Sequence, residues 1–203
     1  MTDVLPPNGD GLAQAADLLR EGAVVAFPTD TVYGVGVAAA REDRLEALFA
    51  LKRRPLDRRI PMLVANLEQT TGWTADDRAT ALAARFWPGA LTLVLASSSG
   101  GASQAFRAPD HPVALALIAA AGPIFGTSAN VSDEPDTLGA DDVLIAFATQ
   151  QDELAAVVDG GPVPGGRAST VLDLTVDPPR ILREGPVSAA ELGDVLGSEP
   201  PLA

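Results

Sequence analysis

Val24-Val25-Ala26-Phe27-Pro28-Thr29-Asp30-Thr31-Val32-Tyr33-Gly34-Val35-Gly36-Val37 is the stretch around which this chain is organised. A β-branched run ends at Pro28, three small polar residues follow, and a second apolar run carries two glycines. The pattern reads as buried strand, polar loop, buried strand. Thr29, Asp30 and Thr31 bring two hydroxyls and a carboxylate to a short connection, while Gly34 and Gly36 let the backbone approach a ligand or another strand closely. Taken alone, these residues serve equally well as a tight turn whose Thr and Asp side chains are satisfied locally.

The wider composition narrows the choices. A chain of 203 residues is long enough to bury a real core, and with no linker-like segment it is expected to form one domain, its core spanning roughly residues 12–192 between frayed termini. It contains no cysteine and one histidine, which excludes disulfides, thiolate metal sites, Cys nucleophiles and His-cluster metal centres. No apolar run approaches a membrane span and the N-terminus lacks a signal-peptide pattern, so a cytoplasmic address is expected. A net charge of −13 argues against a protein that coats nucleic acid through a basic surface, and any anion site must be local. Lys52, Arg53, Arg54, Arg58 and Arg59 lie within eight positions, and Lys52 is the only lysine of the chain. A solvated charged loop is the plain reading of such a cluster; a place where a compact ammonium is wanted is the sharper one.

Outward from the opening stretch, helices are expected over 11–22, 41–52, 113–121 and 140–148, with a further one capped by Thr74 and a last one opened by the capping box Ser188-Ala189-Ala190-Glu191. Strands are expected at 61–65, 91–95, 123–125, 155–159, 169–174 and 180–185, and a mobile loop at 97–103. Several strand pairs stand too close for a helical crossover, which predicts an α/β or α+β domain with a mixed sheet. Polar residues collect at strand ends: Thr29-Asp30-Thr31, Lys52-x-Arg54, Arg107, Ser128-x-Asn130, Ser169-Thr170 and Arg183. Cations, hydroxyls and amides without an obvious nucleophile–base pair suit a site that holds a polyanion and a small zwitterion in line, working by position and charge.

Phe27-Pro28-Thr29-Asp30-Thr31-Val32-Tyr33-Gly34, Lys52-x-Arg54-Pro55, Phe86-Trp87-Pro88-Gly89-Ala90-Leu91-Thr92, Arg107-x-Pro109-x-His111-Pro112, Thr127-Ser128-Ala129-Asn130-x-Ser132, Ser169-Thr170-Val171-x-Asp173 and Ile181-Leu182-Arg183-x-Gly185 occur in this order. Together they resemble the YrdC-type threonylcarbamoyl-AMP synthase family over nearly the whole chain. The resemblance implies a twisted mixed β-sheet flanked by helices, of the YrdC/RibB-like kind, with a concave cationic site. It implies a nucleotidyltransferase that makes threonylcarbamoyl-AMP and pyrophosphate from L-threonine, bicarbonate and ATP, toward N6-threonylcarbamoyladenosine (t6A) in tRNA. It places Lys52, Arg54, Ser128 and Asn130 on the nucleotide phosphates as the catalytic set, with Ser103 and Arg183 as further ATP contacts. It places Thr31, Arg107, Gly126 and Ser169 on the threonine. Mg²⁺ is expected to ride on the ATP phosphates rather than in a protein cage. Hand-over to a t6A-transfer complex and a weak tRNA contact are the implied partners.

Departures and rivals accompany this reading. Arg58 and Ala65 stand near the places of an Asn and a His found in many members, and Asp136 stands where some relatives carry a nucleotide-contacting Ser. His111 and Trp87 read as structural, and Tyr33 as a core or pocket-wall aromatic that could border the adenine. The rival functions are an RNA-binding module of the same fold that grips through the Lys52 to Arg59 patch, and a paralogous ATP-dependent carbamoyl-adenylate synthase acting on another amine.

Overall fold

The hairpin foreseen in the opening stretch is present: β2 (Val24–Pro28) runs antiparallel to β3 (Tyr33–Ala38), pairing Pro28 with Tyr33 and Val25 with Gly36. The computed structural model describes residues 2–53, 59–150, 152–165 and 167–203. Eight further strands are β1 (Asp3–Leu5), β4 (Met62–Leu63), β5 (Leu91–Ala96), β6 (Ser103–Arg107), β7 (Ile124–Ser128), β8 (Leu154–Val158), β9 (Thr170–Asp173) and β10 (Arg180–Arg183). Among the described residues all ten lie in one mixed sheet, in the order β1-β8-β2-β3-β7-β4-β6-β5-β9-β10. The helices are α1 (Gly9–Glu21), α2 (Leu45–Lys52), α3 (Asp77–Phe86), α4 (Pro112–Ala121), α5 (Ala140–Ala146) and α6 (Ala189–Leu196).

Every residue of β2 and β3 is buried, because helices cover both faces of this half of the sheet. Val24, Ala26, Tyr33, Val35 and Val37 pack with Leu48 and Leu51 of α2 and Val143 of α5. Val25 and Phe27 pack on the other side with Ala15, Ala16 and Leu19 of α1 and Leu117 and Ile118 of α4. The second half of the sheet is covered on one face only, where Leu91, Leu93 and Leu95 of β5, Phe106 of β6 and Leu172 of β9 meet Leu82 of α3 and Leu192 of α6. Strand alternation sends the intervening residues Thr92, Val94, Ala105, Arg107, Val171 and Asp173 to the opposite face, and there they line a cavity. The apolar/other alternation Leu91-Thr92-Leu93-Val94-Leu95 thus separates core from site along one strand.

Several boundaries differ from expectation, each for a local reason. The N-terminal residues do not fray, since β1 pairs in parallel with β8, and near the other end Leu202 bridges Ile181. Residues 103–107, not foreseen as a strand, form β6 because β5 and β4 offer edges on both sides. Helix α3 is capped by Asp76, whose side chain accepts from the Ala79 N–H at 2.9 Å, in place of Thr74. The first turn of the helix expected over 41–52 is a 3-10 segment (Ala39–Arg44) with Arg41 at φ −118°, ψ 48°. Tyr33 is fully buried, its hydroxyl donating to Gly161 O at 2.8 Å and accepting from Gly160 N at 3.2 Å, so it belongs to the core and borders no adenine.

Of the two hairpin glycines, Gly36 is the one the packing requires. It sits opposite Gly126 of β7, and a Cβ there would collide with the Phe125 carbonyl oxygen and come within 2.7 Å of Ile124 Cγ2. Backbone cannot yield as a side-chain tip can, so Gly36→Ala is expected to lower unfolding stability by ~3 kcal/mol, the upper part of the overpacking range. A urea titration reads this as a drop in midpoint with unchanged slope. Gly34 has its nearest such neighbours at 3.4 Å and is expected to tolerate alanine better.

Candidate active site

The uncovered face encloses a cavity of about 570 Å³, walled by the ends of β3 and β7 on one side and by β5, β6, β9 and β10 on the other. The Thr29-Asp30-Thr31 connection forms its inner edge. Thr29 holds the turn: its hydroxyl donates to Val32 O at 2.6 Å and accepts from the N–H groups of Thr31 and Val32 at 3.2 and 3.3 Å. Thr31 and Asp30 instead face Arg107. Arg107 Nη1 donates to Thr31 Oγ1 at 3.0 Å, Nη2 to Asp30 Oδ1 at 2.6 Å, and Nε to Gly89 O at 3.0 Å. Three of its five donors are therefore fixed by the protein, and the guanidinium is a preset fork on the cavity wall. Burial pushes Arg107 below its ordinary value, with Asp30 pulling it back up.

Arg183 approaches from β10. By strand alternation from Ile181, which is in the core, Arg183 would point into the core as well. A bulge prevents this: Ile181 pairs with Leu172 but Arg183 pairs with Val171, so one extra residue, Leu182, turns Arg183 onto the cavity face. There Nε and Nη2 donate to Ser169 O at 3.0 and 2.9 Å, and Nη2 also lies 3.2 Å from Ser169 Oγ. Burial and the neighbouring charge of Arg107 lower Arg183 below its ordinary value, and Asp136 acts in the opposite sense. The Ser169 hydroxyl is 2.7 Å from that of Thr92.

Ser128 and Gly126 line the cavity from β7, and Arg59 and Ser103 line its opposite side. Gly126 already gives its N–H to Pro61 O at 3.0 Å. Arg59 Nη1 donates to Ser103 O and Ser103 Oγ at 2.5 and 2.6 Å. Lys52 and Asn130 are buried and do not line the cavity; they lie behind Ser128. Arg54 and Arg58 fall outside the described residues. The structure therefore brings Thr31, Ser103, Arg107, Gly126, Ser128, Ser169 and Arg183 around one space. Sequence reasoning passed over Thr92, Asp30 as the partner of Arg107, and Arg59 as the partner of Ser103. The alternation of β5 carried a signal for Thr92; for the bulge at Leu182 the sequence carried none.

His111 is the N-cap of α4, its Nδ1 accepting from Val113 N at 3.2 Å. Burial pushes its imidazole below the usual value against the pull of Asp30 and Asp110. Among the described residues no group of three His, Cys, Asp or Glu side chains is placed to hold a metal ion. Asp173, among the described residues the one carboxylate lining the cavity, has Oδ1 engaged by the N–H and hydroxyl of Thr175 at 2.8 and 2.7 Å.

The Sua5/YciO/YrdC family model, described as telomere recombination, matches residues 17–185. The chain belongs to the Sua5/YciO/YrdC family. It is 41% identical to the threonylcarbamoyl-AMP synthase of Bacillus subtilis over 97% of its own length and 60% of that protein's. A putative threonylcarbamoyl-AMP synthase of Mycobacterium leprae is 38% identical, covering 94% of this chain and 90% of that one. The crystal structure of Pyrococcus abyssi Sua5 complexed with L-threonine superposes with a TM-score of 0.89 at 35% identity, over 99% of this chain and 62% of that one. The chain thus spans about three fifths of two of these relatives and nearly all of the third. The twisted mixed sheet flanked by helices is the fold of this family. Among the described residues no helix is long and apolar enough to cross a membrane.

Proposed function

We propose that this protein is a threonylcarbamoyl-AMP synthase, joining L-threonine, bicarbonate and ATP into threonylcarbamoyl-AMP with release of pyrophosphate. The observation that carries the reading is the pairing, across one cavity, of a preset guanidinium fork at Arg107 with a second cation at Arg183, with hydroxyls from Thr31, Ser128 and Ser169 between them. Such a wall suits carboxylate and phosphate, and among the described residues no histidine stands beside its hydroxyls as a base, the one histidine being spent on a helix cap. The names of the relatives, and the threonine in the Pyrococcus structure, support the same choice.

In this reading Arg107 takes the threonine carboxylate with its remaining donors, and Thr31 and Ser169 lie within reach of the rest of the amino acid. Ser128 faces the nucleotide phosphates, with Ser103, Arg183 and Arg54 as further contacts. The amine attacks the carbon of bicarbonate-derived CO₂ and loses a proton, giving a carbamate. A carbamate oxygen then attacks the α-phosphorus, the bond to the bridging oxygen breaks, and pyrophosphate leaves. The protein contributes alignment and fixed positive charge to this displacement. Among the described residues no cluster of carboxylates is placed to hold Mg²⁺; when bound, the ion would be held by the ATP phosphates and would supply charge neutralisation there. The product is a mixed anhydride that water would destroy, which suits hand-over to a protein complex that transfers the threonylcarbamoyl group to tRNA. A net charge of −13 weighs against the alternative of an RNA-coating module.

The test is pyrophosphate release from ATP with Mg²⁺ and bicarbonate, with and without L-threonine, with L-serine as control and the adenylate identified by mass. Threonine-dependent release with the threonylcarbamoyl-AMP mass is the expected result. Release driven equally by serine would move the assignment to a synthase of other carbamoyl adenylates, and silence with retained ATP binding would remove the enzyme reading.

A further inference from the structure

Lys52 ends α2 with 1% of its surface exposed; it does not line the cavity, and its Nζ reaches the end of β7 and the turn that follows. The ammonium donates to the carbonyl oxygens of Ser128 and Asn130, both at 2.5 Å, and lies 3.3 Å from Asn130 Oδ1. Three oxygens thus meet a group with three donors. Asn130 Oδ1 also accepts the Ser128 hydroxyl at 2.6 Å, and Asn130 Nδ2 donates to Glu134 O at 2.5 Å. The backbone closes the same unit, since Ser132 N donates to Lys52 O at 3.0 Å. Of these residues only Ser128 reaches the cavity wall.

We infer that Lys52 is a positioning residue: its ammonium clamps the carbonyls of Ser128 and Asn130, holding the Ser128 side chain at the phosphate-binding wall, where its hydroxyl exchanges its bond to Asn130 Oδ1 for one to a phosphate oxygen, and does not itself touch the nucleotide. Two carbonyls converging on one point need a cation or two separate donors to stay together, and the buried ammonium of Lys52 supplies it. Asn130 is the second part of the clamp, because its Oδ1 is shared by the Ser128 hydroxyl and the ammonium. A short basic motif in the sequence is thereby divided in role, with Lys52 turned inward to the loop. The phosphate-binding part of this inference rests on the proposed function; the placement of the ammonium does not.

The chain's single lysine makes the placement directly measurable. An acylating reagent specific for amines can modify only Lys52 and the α-amine, and the two products separate by mass after proteolysis. Expected is acylation of Lys52 at least ~10²-fold slower in the folded protein than in the same chain unfolded in urea at one pH, falling with saturating ATP or pyrophosphate by no more than the ligand's stabilisation of the fold accounts for. Rapid acylation in the free protein that ATP suppresses would overturn the inference, because it describes an ammonium waiting in the cavity. A second measurement addresses the coupling through equilibrium binding of inorganic pyrophosphate to Lys52→Met, Ser128→Ala and the double variant. If Lys52 acts through Ser128, the double variant binds no more weakly than the weaker single variant; losses that multiply would mean an independent phosphate contact and would also overturn it. Should Lys52→Met fail to fold, acylation of the unaltered protein still decides. Failure of pyrophosphate to bind any form, with Lys52 protected as expected, would count against the proposed function and leave the clamp standing.

Discussion

Arg107→Lys is expected to raise the L-threonine concentration needed for half-maximal pyrophosphate release by ~10²-fold, while the ATP requirement changes less than ~3-fold. The substitution keeps a positive charge beside Asp30, so the fold survives, but an ammonium cannot reproduce a planar fork. In the present arrangement Nε is tied to Gly89 O, and Nη1 and Nη2 each carry one bond to the Thr31–Asp30 turn. Those bonds fix the plane of the guanidinium before any ligand arrives. Two parallel N–H···O bonds to a carboxylate are then available without further ordering, each charge-assisted and contributing about 1.5 kcal/mol or more. Losing one of the pair and the orientation of the other gives the two decades. Initial-rate measurements with each substrate varied in turn check the outcome. Equal effects on threonine and ATP would take Arg107 out of the carboxylate role.

The parts of this molecule that were legible in its sequence are those fixed by short-range pattern. The hairpin of β2 and β3 could be read because two apolar runs flank a polar triplet, and the Ser188 capping box because its two partners lie three residues apart. What escaped was decided by neighbours distant in sequence. β1 exists because β8, about 150 residues away, offers it an edge, and β6 because β4 and β5 stand on either side. The direction of a side chain was harder still. Arg183 reaches the cavity only through one extra residue in β10, and nothing in Ile181-Leu182-Arg183 announces a bulge. Lys52 was legible as an isolated lysine in an arginine-rich segment, but its partners are main-chain carbonyls 76 and 78 residues downstream, which carry no residue-type signature.

Asp30→Ala is expected to lower unfolding stability by ~3 kcal/mol and to weaken threonine binding as strongly as a change at Arg107 itself. The side chains of Asp30 and Arg107 are only 16% and 9% exposed, so removing the carboxylate leaves a cation in surroundings that water barely reaches. Arg107 retains Gly89 O and Thr31 Oγ1 as acceptors, which places the expected loss at the lower end for breaking such a pair. Asp30 Oδ1 also accepts from Asp110 N at 3.0 Å, so the same substitution loosens the junction between the β2–β3 turn and the segment leading into α4. Replacing both members, Asp30→Ala with Arg107→Met, removes the unpaired charge and is expected to recover most of the stability while threonine binding stays lost. Urea titrations and threonine calorimetry on the two variants check both halves. Recovery of stability without recovery of binding would show that the pair contributes orientation rather than net stability, as a fork held in advance for a substrate carboxylate requires; a double variant as unstable as Asp30→Ala would assign the pair to the fold instead.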